Sequence, residues 1–206
     1  MSQQNTVTFY YNPMSRGRIV HWMLEECGAP YEIKSLKWET QDHKSPEYLK
    51  INPMGKIPAI VHRGVAITEV SAICAYLADA FPEANLAPKL SDPLRGAYYR
   101  WLFFAASNIE SAMVDKQFPR SGEGPKASHL GYGSYEDVIN ALELAVKDGF
   151  LLGNQFTAAD LYMSSQLGWY LFMKVLDPRP AFVSYVKLCE DRPAFRRYME
   201  QAGPIG

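Results

Sequence analysis

The chain has 206 residues, 48% of them hydrophobic and 21% charged, which is ordinary globular material for one large domain or two modest ones. A formal net charge of −1 leaves no electrostatic footprint for nucleic acid or an anionic membrane surface. No apolar run approaches the roughly 20 residues that span a bilayer, and MSQQNTV has neither a basic nor a hydrophobic leader region, so a cytoplasmic protein is expected.

The first element, Thr6 to Tyr11 (TVTFYY), has the β-branched and aromatic content of a strand, and Asn12-Pro13-Met14-Ser15 punctuates it. Ile19, Val20, Met23 and Leu24 then keep helical spacing through RGRIVHWMLEEC, until Gly28-Ala29-Pro30 stops the helix. Tyr31 to Leu36 alternates as a second strand, and SPEYLKIN offers one or two helical turns before Pro53-Met54-Gly55. A strand-helix-strand opening with short links implies a parallel pair joined by a right-handed crossover.

Pro58 cannot donate to a sheet ladder, so it marks the point where pairing of Ala59-Ile60-Val61 begins. His62-Arg63-Gly64 reads as a tight turn and Val65-Ala66-Ile67 as the return strand. Thr68 is then expected to cap a helix carrying Ile73, Tyr76, Leu77 and Ala80 on one face. The hairpin would add antiparallel strands at the other end of the sheet, giving the order β-α-β-α-β-β-α. Taken alone, this segment fits equally a plain β-β-α unit whose proline only blunts an edge.

After Leu77 the composition changes, and FPEANLAPKLSDP with Pro82, Pro88 and Pro93 reads as a linker. Domains are expected at 1–82 and 92–206, joined by 83–91. Beyond the linker only helical patterns appear: Pro93 to about 115, about 134 to Lys147, Thr157 to about 174, Pro180 to Cys189 and Pro193 to Gln201. FPRSGEGPKASHLGYG, between the first two, reads as a loop without chemistry. In FTAADLYM, Thr157 and Asp160 form a capping box with Phe156 and Leu161 as its staple, a structural feature. Cys27, Cys74 and Cys189 are odd in number, far apart and without a C-x-x-C. That pattern argues against a disulfide framework, a zinc site or a dithiol redox centre, and no metal is expected.

The strand, the Ser-Arg turn and helix, Asn-Pro-Met-Gly-Lys-Ile-Pro, Ile-Thr-Glu-x-Ser-Ala-Ile, the proline-rich linker and Phe-Thr-Ala-Ala-Asp follow one another in an order that covers nearly the whole chain. In that order the chain resembles a cytosolic glutathione S-transferase of bacterial type, with a serine as its thiol-activating residue. The resemblance implies an α/β thioredoxin-like N-terminal domain, an all-α C-terminal domain, glutathione as co-substrate, a small apolar electrophile as its partner and a homodimer. It also implies a cis bond before Pro58, with the backbone of Ile57 pairing with the cysteinyl backbone of glutathione as an added strand. The N-terminal amides of the helix near Glu69 would seat the γ-glutamyl carboxylate, and Glu69 would pair with its ammonium. Lys56 and His43 match positions that commonly neutralise the glycine carboxylate, although either also reads as a solvated charge.

Many members of the family it resembles place Ser directly after the Glu, whereas this chain has Val70 there and Ser71 one step later. Successive helix residues point about 100° apart, so Ser71 is no automatic substitute. Ser15 matches the hydroxyl that holds the glutathione thiolate, although the same sequence would make it merely a helix N-cap. Tyr10 and Tyr11 are alternatives that lie upstream of the alignment on Arg-Gly-Arg, and Asn12 is a further one. No cysteine lies in residues 5–20, which counts against the cysteine-type branches. The electrophile pocket implied by the resemblance would draw on Met14, on Phe104 and Asn108 beside Trp101 and Phe103, and on Trp169 beside Phe172, although an aromatic stripe at helical spacing is more often core than pocket. The functional alternatives are a non-catalytic glutathione-binding or scaffold protein of the same fold, and a glutathione-dependent peroxidase or isomerase.

Overall fold

The structure, a computed structural model, describes residues 5–119 and 127–204. It divides into two compact units, one made of residues 1–86 with 192–206 and the other of residues 87–191. The segment 192–206, which the sequence reading assigns to the helical half, thus belongs with the first unit.

In the first unit β1 (Val7–Tyr11), α1 (Gly17–Cys27), β2 (Tyr31–Ser35), α2 (Pro46–Leu49), β3 (Ala59–His62), β4 (Val65–Thr68) and α3 (Val70–Ala80) follow in the expected order. The sheet runs β2-β1-β3-β4, with β1 and β2 parallel and the β3-β4 hairpin antiparallel. On β1 the buried residues Val7, Phe9 and Tyr11 alternate with Thr8 and Tyr10, so the two tyrosines point to opposite faces. Tyr11 packs on Phe9 and His21, while Tyr10 meets Tyr48 with ring centroids 5.4 Å apart. Helix α1 buries Val20, Trp22, Met23 and Leu24, and ends at Gly28, whose φ of 60° is the left-handed cap a glycine supplies.

Two expectations at the hairpin need correction. His62 belongs to the strand, and the turn is Arg63-Gly64, with φ of 52° and 79° at its two central residues. Thr68 is the last residue of β4 rather than a cap; Glu69 stands at the N-cap position of α3. The propensity of threonine for caps is overridden by its pairing with Ala59.

In the second unit α4 (Arg95–Phe103) and α5 (Glu110–Gln117) are joined through a π-helical segment, Phe104–Ile109. They are followed by α6 (Tyr135–Val146), α7 (Ala158–Phe172) and α8 (Pro180–Glu190). Among its described residues the only strand-like feature is an isolated bridge between Phe150 and Gly153. Part of the loop read at 118–133 lies outside the described residues. No described helix is long and apolar enough to cross a membrane.

Helix α7 is largely buried in the core of this unit, and its capping box is fully buried with it. The Oδ2 of Asp160 accepts from the N–H and the hydroxyl of Thr157, at 2.9 Å each. Its Oδ1 accepts from the Leu151 N–H at 2.7 Å and the Tyr185 hydroxyl at 3.0 Å. Phe156 and Leu161, the proposed staple, are both buried.

The last helix, α9 (Pro193–Ala202), packs on α1 within the first unit. The guanidinium of Arg192 forks onto both oxygens of Glu26 at 2.7 and 2.8 Å. Arg197 reaches Glu25, and Arg18 donates to the terminal carbonyls of Ala202 and Gly203.

Candidate functional site

Strand register brings three segments to one end of the sheet. Ala59 pairs with Tyr10 of β1 and with Thr68 of β4. The chain just before Ala59, the turn after Tyr11 and the start of α3 therefore leave the ladder side by side. Lys56, Ile57 and Pro58 belong to the first, Asn12 to Ser15 to the second, and Glu69 to Ser71 to the third. The Ile57–Pro58 peptide is cis, and Ile57 itself lies outside the β3 ladder.

Two copies of Asn-Pro-Met build the loops here. Asn12 accepts from the Met14 N–H at 2.8 Å and donates to the Leu36 carbonyl at 2.7 Å. Asn52 accepts from the Met54 N–H at 3.1 Å and donates to the Lys56 carbonyl at 2.9 Å. Each asparagine side chain closes a turn on itself and ties it to a backbone carbonyl outside that turn, Leu36 just past β2 and Lys56 just ahead of the cis peptide. The Tyr48 hydroxyl also donates to the Lys56 carbonyl. Gly55 has φ 59°, and a Cβ there would stand 2.7 Å from both the His43 carbonyl and the Lys44 ammonium, so only glycine fits.

Ser15 opens α1. Its hydroxyl donates to the Asn12 carbonyl at 2.7 Å and accepts from the Gly17 N–H at 3.0 Å, occupying one orphan amide of the helix start. Of the alternatives, Asn12 has both ends of its amide engaged as above. Tyr10 packs with Tyr48 on the sheet face opposite α1. The hydroxyl of Tyr11 is closed off from solvent, and burial pushes its pKa upward against the lowering influence of Arg18. Gly17 permits this crowding: a Cβ on it would lie 2.8 Å from the Tyr11 ring and 2.9 Å from the Ser15 oxygen.

At the mouth of α3, Glu69 is exposed and holds φ 65°, ψ 119°, a conformation that costs a non-glycine residue on the order of 1–3 kcal/mol. The cost persists because Glu69 must turn the chain out of β4 and start the helix within one residue. Val70 is buried and Ser71 half-buried on the first turn.

Cations border the Met54–Lys56 segment. Lys56 is exposed. The Lys44 ammonium donates to the Met54 carbonyl at 3.0 Å, a placement the sequence reading passed over. His43 lies edge-on to Trp38, with ring centroids 4.8 Å apart, and its Nδ1 is buried without a protein partner.

Met14 is 59% exposed in the first unit. In the second, Phe104 and Asn108 fall in the π-helical segment, where the Ser107 hydroxyl lies 2.8 Å from Asn108 Oδ1. Trp101 is buried and meets Phe104 edge-on. Phe103, Trp169 and Phe172 are exposed, with the rings of the last two 6.0 Å apart. All three cysteines are free; burial raises the Cys27 thiol to about 12 and that of Cys74 higher still.

A thioredoxin-like unit combined with a helical unit is the architecture of the glutathione transferase fold. The profile "Glutathione S-transferase, N-terminal domain" matches residues 14–80, and "Glutathione S-transferase, C-terminal domain" matches residues 125–201. The chain belongs to the glutathione S-transferase family. It is 26% identical over 169 residues to glutathione S-transferase GstA of Escherichia coli O157:H7, covering 81% of this chain and 83% of that protein. With a probable glutathione S-transferase of Nicotiana tabacum it shares 29% over 174 residues, 83% of this chain and 72% of that one. Among solved structures, a glutathione transferase from Methylococcus capsulatus has TM-score 0.78 at 28% identity, over 97% of this chain and 100% of that one. A Phanerochaete chrysosporium glutathione transferase, crystallised with oxidized glutathione, has TM-score 0.78 at 26% identity, over 98% of each chain.

Proposed function

We propose that this chain is a cytoplasmic, homodimeric glutathione transferase that binds glutathione where the three segments converge and activates its thiol for attack on a small apolar electrophile. The convergence of residues 56–58, 12–15 and 69–71 at one end of the sheet carries this reading. The backbone of Ile57, free of the β3 ladder, would pair with the cysteinyl residue. The first amides of α3 would seat the γ-glutamyl carboxylate while Glu69 pairs with the ammonium. Lys56 and His43, with Lys44 beside them, would neutralise the glycine carboxylate. Val70 supplies its amide without a hydroxyl, and so one hydrogen bond worth about 1 kcal/mol is given up. Proposed electrophile contacts are Met14 in the first unit and Phe104, Asn108 and Trp169 in the second.

A thiol has a pKa near 8.5, and its thiolate is the nucleophile. To help it, the Ser15 hydroxyl turns its proton from the Asn12 carbonyl toward the sulfur. That exchanges a neutral hydrogen bond worth about 1 kcal/mol for a charge-assisted one of about 1.5–3. The Gly17 N–H keeps its hold on the oxygen, and the positive end of α1 adds to the field.

The double engagement of Ser15 and the presence of Val70 favour one second reading, a glutathione-binding member without catalysis. Calorimetry tests binding: glutathione should be taken up at millimolar levels or below, and Glu69→Ala should weaken it roughly 10- to 100-fold, the loss of a charged hydrogen bond. No uptake would overturn the assignment. Uptake without turnover of chlorodinitrobenzene or a peroxide would establish the second reading.

A further inference from the structure

Beneath the turn that bears Ser15, β1, α1 and α9 enclose a polar cluster that glutathione chemistry does not use. Phe9, Tyr11 and His21 pack together, with Tyr11 and His21 edge-on at 5.5 Å and Phe9 5.1 and 6.0 Å from the two. His21 also meets Tyr198 of α9 edge-on at 5.5 Å, and the Arg18 guanidinium stands 5.4 Å over that same ring. Arg18 and His21 are one helical turn apart and share a face. Three atoms in this cluster are closed off from solvent and have no protein partner: the Tyr11 hydroxyl, Arg18 Nε and His21 Nδ1.

The surrounding bonds fix what each atom offers. Gln201 donates to Glu25 Oε1 at 3.1 Å, so its Oε1 faces Tyr31 and His21. Tyr31 has one proton and gives it to Glu25 Oε1 at 2.7 Å. His21 Nε2 lies 2.9 Å from the Tyr31 oxygen and 3.1 Å from the Gln201 oxygen; with the Tyr31 proton given to Glu25 both are acceptors, so Nε2 carries the ring proton. Burial holds the His21 pKa below its usual value despite Gln201 and Glu25, with Arg18 adding to the fall, so the ring is neutral and Nδ1 is a bare acceptor. Tyr11 O–H and Arg18 Nε–H are both donors. Two donors and one acceptor, all buried, are the complement of one water molecule, which needs 2–4 polar partners in such a place.

We propose that Tyr11 Oη, Arg18 Nε and His21 Nδ1 together bind a single buried water, which accepts from the first two and donates to the third. The outer nitrogens of Arg18 meanwhile hold the Ala202 and Gly203 carbonyls at 3.3 and 2.6 Å, so the water joins the end of α9 to the strand under Ser15. Tyr11 is the ring against which Gly17 and the Ser15 turn rest. Nothing in this depends on glutathione binding.

A high-resolution crystal structure of the full chain should show one water within hydrogen-bond distance of all three atoms. Imidazole nitrogen-15 spectra should show His21 as the neutral tautomer protonated at Nε2, with Nδ1 shifted as a hydrogen-bond acceptor. Tyr11→Phe removes one donor, and the Nδ1 resonance should move toward the value of a free acceptor. Absence of the water, a direct bond between any two of the three groups, an anion beside a doubly protonated imidazole, or an Nδ1 shift unchanged in Tyr11→Phe would each overturn the proposal. If Tyr11→Phe fails to fold, the wild-type density and spectrum decide alone.

Discussion

Gly17→Ala tests whether the close approach at the start of α1 shapes both stability and the site. Alanine at a helical position is ordinarily favourable, by up to about 1 kcal/mol over glycine in a helix interior and less in the first turn. Here the added carbon would lie 2.8 Å from Tyr11 Cδ2, 2.9 Å from the Ser15 oxygen and 3.3 Å from Tyr11 Cε2. Neither neighbour yields easily. The Tyr11 ring is wedged by Phe9 and His21, and the Ser15 hydroxyl is fixed by two hydrogen bonds. Overpacking of this kind costs about 1–3 kcal/mol, which outweighs the propensity gain and leaves a net loss of about 1–2 kcal/mol. For a chain of this size that is a fall in Tm of roughly 3–6 °C. Thermal unfolding followed by circular dichroism reads it, and chlorodinitrobenzene turnover should fall as the Ser15 oxygen is pushed aside. A Gly17→Ala protein as stable as the wild type, with unchanged turnover, would refute the reasoning.

Three further outcomes follow from the same geometry. Asp160→Ala leaves four donors without their buried acceptor and should cost about 3–4 kcal/mol in denaturant unfolding; a loss under about 1 kcal/mol would show the capping box to be dispensable. Gly55→Ala should cost about 2 kcal/mol or more, since alanine pays for the left-handed backbone and meets the His43 carbonyl, and calorimetry should show weaker glutathione uptake. Stability should also fall as the pH drops below about 6.5, because burial lowers the pKa of both His21 and His62 in the folded chain. The unfolded chain then binds more protons, and the stability present above the unfolded pKa is lost through the folded one. His21 faces Arg18 and Glu25 on its own helix, Tyr11 and Tyr31 on the strands, and Tyr198 and Gln201 on α9. Stability flat from pH 7 to 5 would contradict this.

The elements of the first unit were legible because each is bounded by residues with a local cause. Gly28 takes the left-handed cap of α1, Pro58 delays the β3 ladder, and Arg63-Gly64 turns the hairpin. Thr68 misled because its side-chain preference is local, whereas its place in β4 is decided by pairing with Ala59 across the hairpin. The π-helical segment at Phe104–Ile109 (FAASNI) carries no glycine or proline to mark a change of helical geometry, so the sequence reads there as one continuous helix. Lys44 was hidden for a similar reason: its ammonium reaches Met54 only after the intervening turn folds back. The repeated Asn-Pro-Met was in plain view, and its signal was the asparagine ahead of the proline, whose side chain closes each turn. The water site under Ser15 could not be read from the sequence, because Tyr11, Arg18, His21 and Tyr198 meet only when α9 returns to α1.

Titration of the thiol of bound glutathione, followed by thiolate absorbance against pH in the wild type and in Ser15→Ala, bears most directly on the assigned chemistry. In the wild type the bound thiol should ionise well below the free value near 8.5. In Ser15→Ala it should return by about one unit or more toward that value, the loss of a charge-assisted hydrogen bond. Ionisation at the free value in the wild type, or an identical curve in both proteins, would contradict it.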